Sequence, residues 1–144
     1  MTLVMNVEQL QRYFDHAIAA AGQKGPPFTI VQLTDRQLRL RYDLAHEFTR
    51  PGGSITGPAL FGMIDTVGWL MAVAHSGPGT DAFTTDVTVQ YLRPVFTGQL
   101  DLVGSVLRRG RRHVFDVSVD PGPDGPAVHA VIAFATRPSE VLPG

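Results

Sequence analysis

The chain has 144 residues, 44% hydrophobic and 17% charged, with a formal net charge of −1. That length suits one domain, residues 1–144, and is enough to bury a sizeable core, while the near-neutral balance gives no field to recruit nucleic acid or an anionic membrane. The lack of cysteine excludes a disulfide framework, a thiolate nucleophile and a thiolate metal site.

The opening MTLVMNVEQLQRYF lacks the basic start and apolar stretch of a signal peptide, so the expected location is cytoplasmic. In NVEQLQRYFDHAIAA, residues Val7, Leu10, Tyr13, Phe14, Ala17 and Ile18 recur at helical spacing. This predicts a helix over about 6–21, capped by Asn6 and ended by Gly22. After the loop GQKGPP, the run FTIVQLTDRQLRLRYDL reads as two strands with a turn near Thr34 and Asp35. Leu38, Leu40 and Tyr42 alternate there with Arg39, Arg41 and Asp43, so one face is wet.

The stretch TGPALFGMIDTVGWLMAVAH predicts a helix capped by Thr56 or Gly57, with Pro58 in the first helical position, running to about Ala74. Its apolar residues occur on every side, the mark of a buried helix. It is barely long enough to span a membrane and carries a charge, so a core helix is the better reading. Four strands follow, and short turns between them predict antiparallel neighbours. In the first, Phe83, Thr85, Val87, Val89 and Tyr91 alternate with Thr84, Asp86, Thr88 and Gln90. One apolar helix needs a surface that surrounds it, and a twisted antiparallel sheet curled round it supplies one. The expected class is α+β: a hot-dog fold with an N-terminal helix and a core over about 28–137.

From Pro51 to Thr80 the chain carries one formal charge, Asp65. A lone carboxylate in apolar surroundings is costly unless it is paired. Asp65 is therefore a candidate functional group, set against a purely architectural carboxylate bonded to backbone or to Thr66.

GPALFGMIDTVGWLMAVA, then TTDVTVQYLRP, then GQL and RRGRR resemble, in order and spacing, the hot-dog acyl-CoA thioesterases of the phenylacetate-degradation type. The resemblance covers roughly residues 45–137. It implies hydrolysis of an acyl or aryl thioester of coenzyme A, with CoA as part of the substrate and no metal or separate cofactor. It implies a homodimer or a tetramer built as a dimer of dimers, with acyl-CoA along the interface. Carried over, Asp65 is the nucleophile or base, and Gly57 N–H holds the carbonyl oxygen. Thr84 of the partner subunit places the water, with Thr85 as its competitor. The family's His is Thr56 here, its second Gly is Pro58, and its Asn falls near Arg50. Gly57 keeps its N–H despite these departures.

A backbone N–H at a helix start, with the dipole behind it, suits the charge that develops on a thioester oxygen. Asp65 lies eight residues beyond Gly57, about 12 Å along a helix axis. That gap implies that the two groups meet across an interface between chains. RRGRR offers Arg108, Arg109, Arg111 and Arg112 either as a wet hairpin tip or as a grip for CoA phosphates, and Arg93 is a further candidate. The cluster is small and lacks interleaved aromatics, which argues against nucleic acid. The histidines show no metal-ligand spacing, and His75 suits the dipole at a helix end. Trp69 and Met71 read as core or acyl-pocket lining. The rival readings are a non-catalytic acyl-CoA or lipid binder, favoured by the missing His and Asn, and a hydratase or dehydratase of the same fold, which wants a His beside the Asp.

Overall fold

The computed structural model describes residues 3–22 and 26–139. Helix α1 spans Val7–Ala21. Asn6 Oδ1 accepts from Gln9 N–H, and Gln9 Oε1 accepts from Asn6 N–H, each at 2.9 Å. This reciprocal box satisfies two donors that a helix start leaves open. Gly22 ends the helix at φ 66°, left-handed backbone that glycine adopts without penalty. Strands β1 (Phe28–Leu33) and β2 (Gln37–Leu44) form the expected hairpin, and Leu38, Leu40, Tyr42 and Leu44 are buried.

Helix α2 spans Gly57–Ser76, two residues longer than its sequence suggests. The Thr56 hydroxyl accepts from Ala59 N–H at 3.4 Å, so Gly57 takes the first helical position and Pro58 the second. α2 is long and apolar enough to cross a membrane by length and hydropathy alone, yet most of it is buried inside this fold. Ile64, Val67, Leu70, Met71, Ala72, Val73 and Ala74 have no exposure, and strands pack along it. Two glycines set how closely they pack. A Cβ on Gly68 would lie 2.5 Å from the Phe134 ring, and one on Gly104 would lie 2.6 Å from Met71 Sδ. The helix can touch the sheet there because both positions lack a side chain.

The remaining strands are β3 (Thr80–Tyr91), β4 (Gly98–Arg108), β5 (Arg112–Val119) and β6 (Val128–Pro138). All pairings are antiparallel, in the order β1-β2-β4-β5-β6-β3. Six strands curved round one central helix make the hot-dog arrangement. The last four strands do not run as a simple meander, however. β3 pairs with β6, and β4 with β2 and β5. Residues 92–97 are a crossing over the start of α2 rather than a hairpin. Leu92 and Arg93 N–H groups donate to Ala127 O, and Ile55 N–H donates to Val95 O. β3 therefore forms an edge of the sheet.

β3 also departs from strict alternation. Its pairing with β6 shifts between Thr84 and Asp86, a bulge centred on Thr85. An extra residue exchanges the faces of everything on one side of it. Ala82 and Thr84 thus join Val87 and Val89 on the helix side, while Phe83 is 44% exposed and Thr85 turns outward. The alternation that grouped Phe83 and Thr85 with Val87 is corrected by this one-residue insertion.

Candidate active site

Asp65 sits midway along α2, half-buried, at the wall of an open cleft of about 400 Å³. The cleft lies between α1, α2 and β3, and Thr84 and Phe134 line it from the sheet. Thr84 Oγ1 donates to Asp65 Oδ1 of the same chain at 2.6 Å, so the threonine at the acid is the chain's own and not, as the resemblance implies, the partner's. That distance is at the short end of hydroxyl–carboxyl hydrogen bonds. The carboxylate is bound to neither backbone nor Thr66, because Thr66 Oγ1 donates to Gly62 O at 2.9 Å. Asp65 Oδ2 accepts no hydrogen bond, and Asp65 forms no salt bridge, among the described residues. A carboxylate with one oxygen fixed and one facing a cleft can take a proton from a water lodged there.

The start of α2 opens on a different cleft, of about 480 Å³, lined by Arg50, Gly57, Tyr91 and Arg93 among others. No hydrogen bond among the described residues uses Gly57 N–H, as expected of a first-turn donor. Tyr91, 51% exposed, donates from its hydroxyl to Gly57 O at 3.0 Å. Its ring lies 3.7 Å from where a Gly57 Cβ would be. Sequence reasoning missed Tyr91. Its only signal was its place on the inward face of β3 beyond the bulge. The Gly57 and Asp65 clefts share no lining residue.

The other candidates are dispersed. The Thr56 hydroxyl is engaged as the helix cap. Thr85 points away from Asp65: its Oγ1 donates to Ala133 O at 3.3 Å and accepts from Arg112 Nη2 at 3.0 Å. Arg108, Arg111 and Arg112 line an outer-face cleft of about 350 Å³ together with Asp86, and Arg109 in the same turn is half-buried. Arg93 is drawn to the β5–β6 turn, donating to Asp120 O at 3.1 Å and to Asp120 Oδ2 at 3.4 Å. His75 meets the end of α2, with Nδ1 2.8 Å from Met71 O and Nε2 3.0 Å from Asp35 O. Among the described residues no three His, Asp or Glu side chains converge as a metal site.

The family model for the thioesterase superfamily matches residues 52–119, a span that includes Gly57, Asp65, Thr84, Tyr91 and all four hairpin arginines. A "putative esterase" of Saccharolobus solfataricus is 34% identical over 64 residues, covering 44% of this chain and 45% of that one. The similarity thus spans under half the length of that curated relative. Among solved structures, a "putative thioesterase" from Silicibacter sp. TM1040 aligns with a TM-score of 0.81 at 24% identity, over 96% of both chains. A Streptococcus mutans protein solved bound to acetyl CoA aligns at 0.69 with 20% identity, over 78% of this chain and 90% of that one. The chain is thus similar to the thioesterase superfamily over residues 52–119 and shares the fold of these solved structures.

Proposed function

We propose that this protein is an acyl-CoA thioesterase, hydrolysing an acyl or aryl thioester to the free acid and CoA. The observation that carries the reading is the Thr84–Asp65 hydrogen bond of 2.6 Å at the wall of an open cleft. Asp65 takes a proton from water as the water oxygen bonds to the thioester carbon. Thr84, its own proton committed to Asp65, offers lone pairs to hold that water. The carbonyl oxygen gathers charge against a Gly57 N–H, the tetrahedral intermediate collapses, the C–S bond breaks, and the proton passes to the departing thiolate. Asp65 as direct nucleophile uses the same geometry.

Because Gly57 and Asp65 open on separate clefts, the site is completed by a second copy, Gly57 of one chain facing Asp65 of the other. The twelve-residue edge strand β3 is the surface suited to that pairing, giving a homodimer or a dimer of dimers. Arg108, Arg111 and Arg112 suit the CoA phosphates, with Asp86 as the opposing charge in their cleft. Arg93 would have to leave Asp120 to join them. The acetyl-CoA complex of the Streptococcus mutans neighbour supports a CoA substrate, and the order of the motifs supports the phenylacetate-degradation type.

One observation favours a non-catalytic acyl-CoA binder: Thr56 stands where the thioesterases it resembles place a His, and its hydroxyl serves the cap. Thiol release from acetyl-, phenylacetyl- and long-chain acyl-CoA, by wild type and Asp65→Asn, separates the two. Hydrolysis lost in the variant upholds the enzyme. Tight binding without release by wild type selects the binder.

A further inference from the structure

Helix α1 is fastened to the core at one end only. Its first turns bury Leu10 and Tyr13, and Tyr13 packs on Trp69 with ring centroids 5.6 Å apart. The apolar stripe continues through Phe14, Ala17 and Ile18, yet these are only half-buried, and Ala21 is exposed. An apolar stripe on a surface helix ordinarily rests on another element. Here its second half faces the Asp65 cleft. A second cleft of about 250 Å³ adjoins it, walled by Phe28, Tyr42, Phe48 and Met63. Phe14, Ile18 and Thr66 border both clefts. The Phe14 ring meets Phe28 edge-on at 4.7 Å and Trp69 at 6.1 Å, and so stands as a partition between the two spaces.

We infer that these two clefts receive the acyl group, and that Phe14 is the residue that decides how long a group is accepted. The inference rests on Asp65 being the acid that cleaves the thioester. Continuity fixes the occupant. Asp65 and Thr84 share their cleft with Ala17 and Ile18, so a carbonyl presented to Asp65 lays its substituent along α1. Among the described residues, no charged side chain lines the second cleft, while Phe28, Phe48 and Met63 do, which suits an apolar substituent. The first cleft, about 400 Å³, lies within the range of roughly 300–1,000 Å³ that holds small ligands. An aryl or medium-length acyl group ends against Phe14. A longer one must turn the ring aside to enter the second space.

Removing the ring joins the two clefts. Each methylene then buried is worth about fourfold in kcat/KM. Phe14→Ala should therefore raise kcat/KM for long-chain acyl-CoA relative to short-chain by at least about tenfold. Ala17→Phe, on the open part of the same wall, should shorten the preferred chain. Trp69 lines the Asp65 cleft and is the sole tryptophan, so its fluorescence reports occupancy without turnover. Wild type and both variants would be assayed for hydrolysis of a straight-chain acyl-CoA series, and titrated with S-alkyl CoA thioethers from ethyl to hexadecyl. Opposite shifts of the two variants, in hydrolysis or in the Trp69 titration, uphold the inference. The titration stands even if wild type hydrolyses nothing, which would defeat the catalytic reading alone. Chain-length profiles identical in all three proteins would overturn it. So would a Trp69 spectrum that changes with protein concentration and not with thioether, since a second copy would then cover α1.

Discussion

The middle and the start of α2 offer different chemical groups. At Asp65 the functional atoms belong to side chains, an acid and the hydroxyl 2.6 Å away. At Gly57 they belong to the main chain, an N–H left open by the helix start, with Tyr91 holding the same residue through its carbonyl at 3.0 Å. The acid needs a shielded wall, and α1 supplies it. The donor needs close approach, and a residue without a side chain supplies that. On the proposed mechanism each region supplies what the other lacks, and the site would be shared between two chains.

The sharpest break is at the acid. Asp65→Asn keeps the shape and removes the base, and it should lower kcat by about 10²–10⁴-fold in a thiol-release assay. At the other end, Gly57→Pro removes one N–H at a position where proline suits a helix. It should cost about 10²–10³-fold. Mixing the two variants as dimers should recover activity, since one intact acid can then meet one intact donor, and failure to complement would place both groups in one chain. Thr84→Val leaves the acid unanchored and should reduce kcat about tenfold with KM little changed, as for loss of a hydrogen bond to a charged group. Tyr91→Phe frees the Gly57 carbonyl and should cost only a few-fold, the worth of a neutral hydrogen bond.

A control away from both regions lies at His113, beyond the end of α2 and 3% exposed. Burial first, then the neighbouring His75 and Arg109, hold its imidazole below the ordinary pKa of 6.5. The folded chain thus favours the neutral ring. As pH falls below 6.5, the unfolded chain takes up a proton that the folded chain resists, and stability declines until the folded pKa is passed. His113→Leu should flatten that decline in denaturant midpoints taken across acidic to neutral pH, with Asp65-dependent hydrolysis unchanged.

The same contrast governs what the sequence disclosed. α2 was legible because it is apolar on every side, and Asp65 because it is the one charge between Pro51 and Thr80. The α1 cap and its Gly22 terminus are local, so spacing alone found them. Non-local features stayed hidden. The docking of β3 on β6 depends on residues some fifty apart in sequence, and period-two alternation cannot register an extra residue at Thr85. That bulge decides which of two adjacent threonines meets the acid. Tyr91 and Gly57 carry no motif between them, and only the fold joins them.

β3 is a splint along the central helix. It is tied to α2 at two places, Thr84 to Asp65 and Tyr91 to Gly57, so strand and helix are held in one register at both the acid and the donor. The helix cannot slide past the strand without undoing both ties. Any chain that aligned itself on β3 would inherit that ruler, so the match of its own acid and donor to their counterparts would be set by strand register alone.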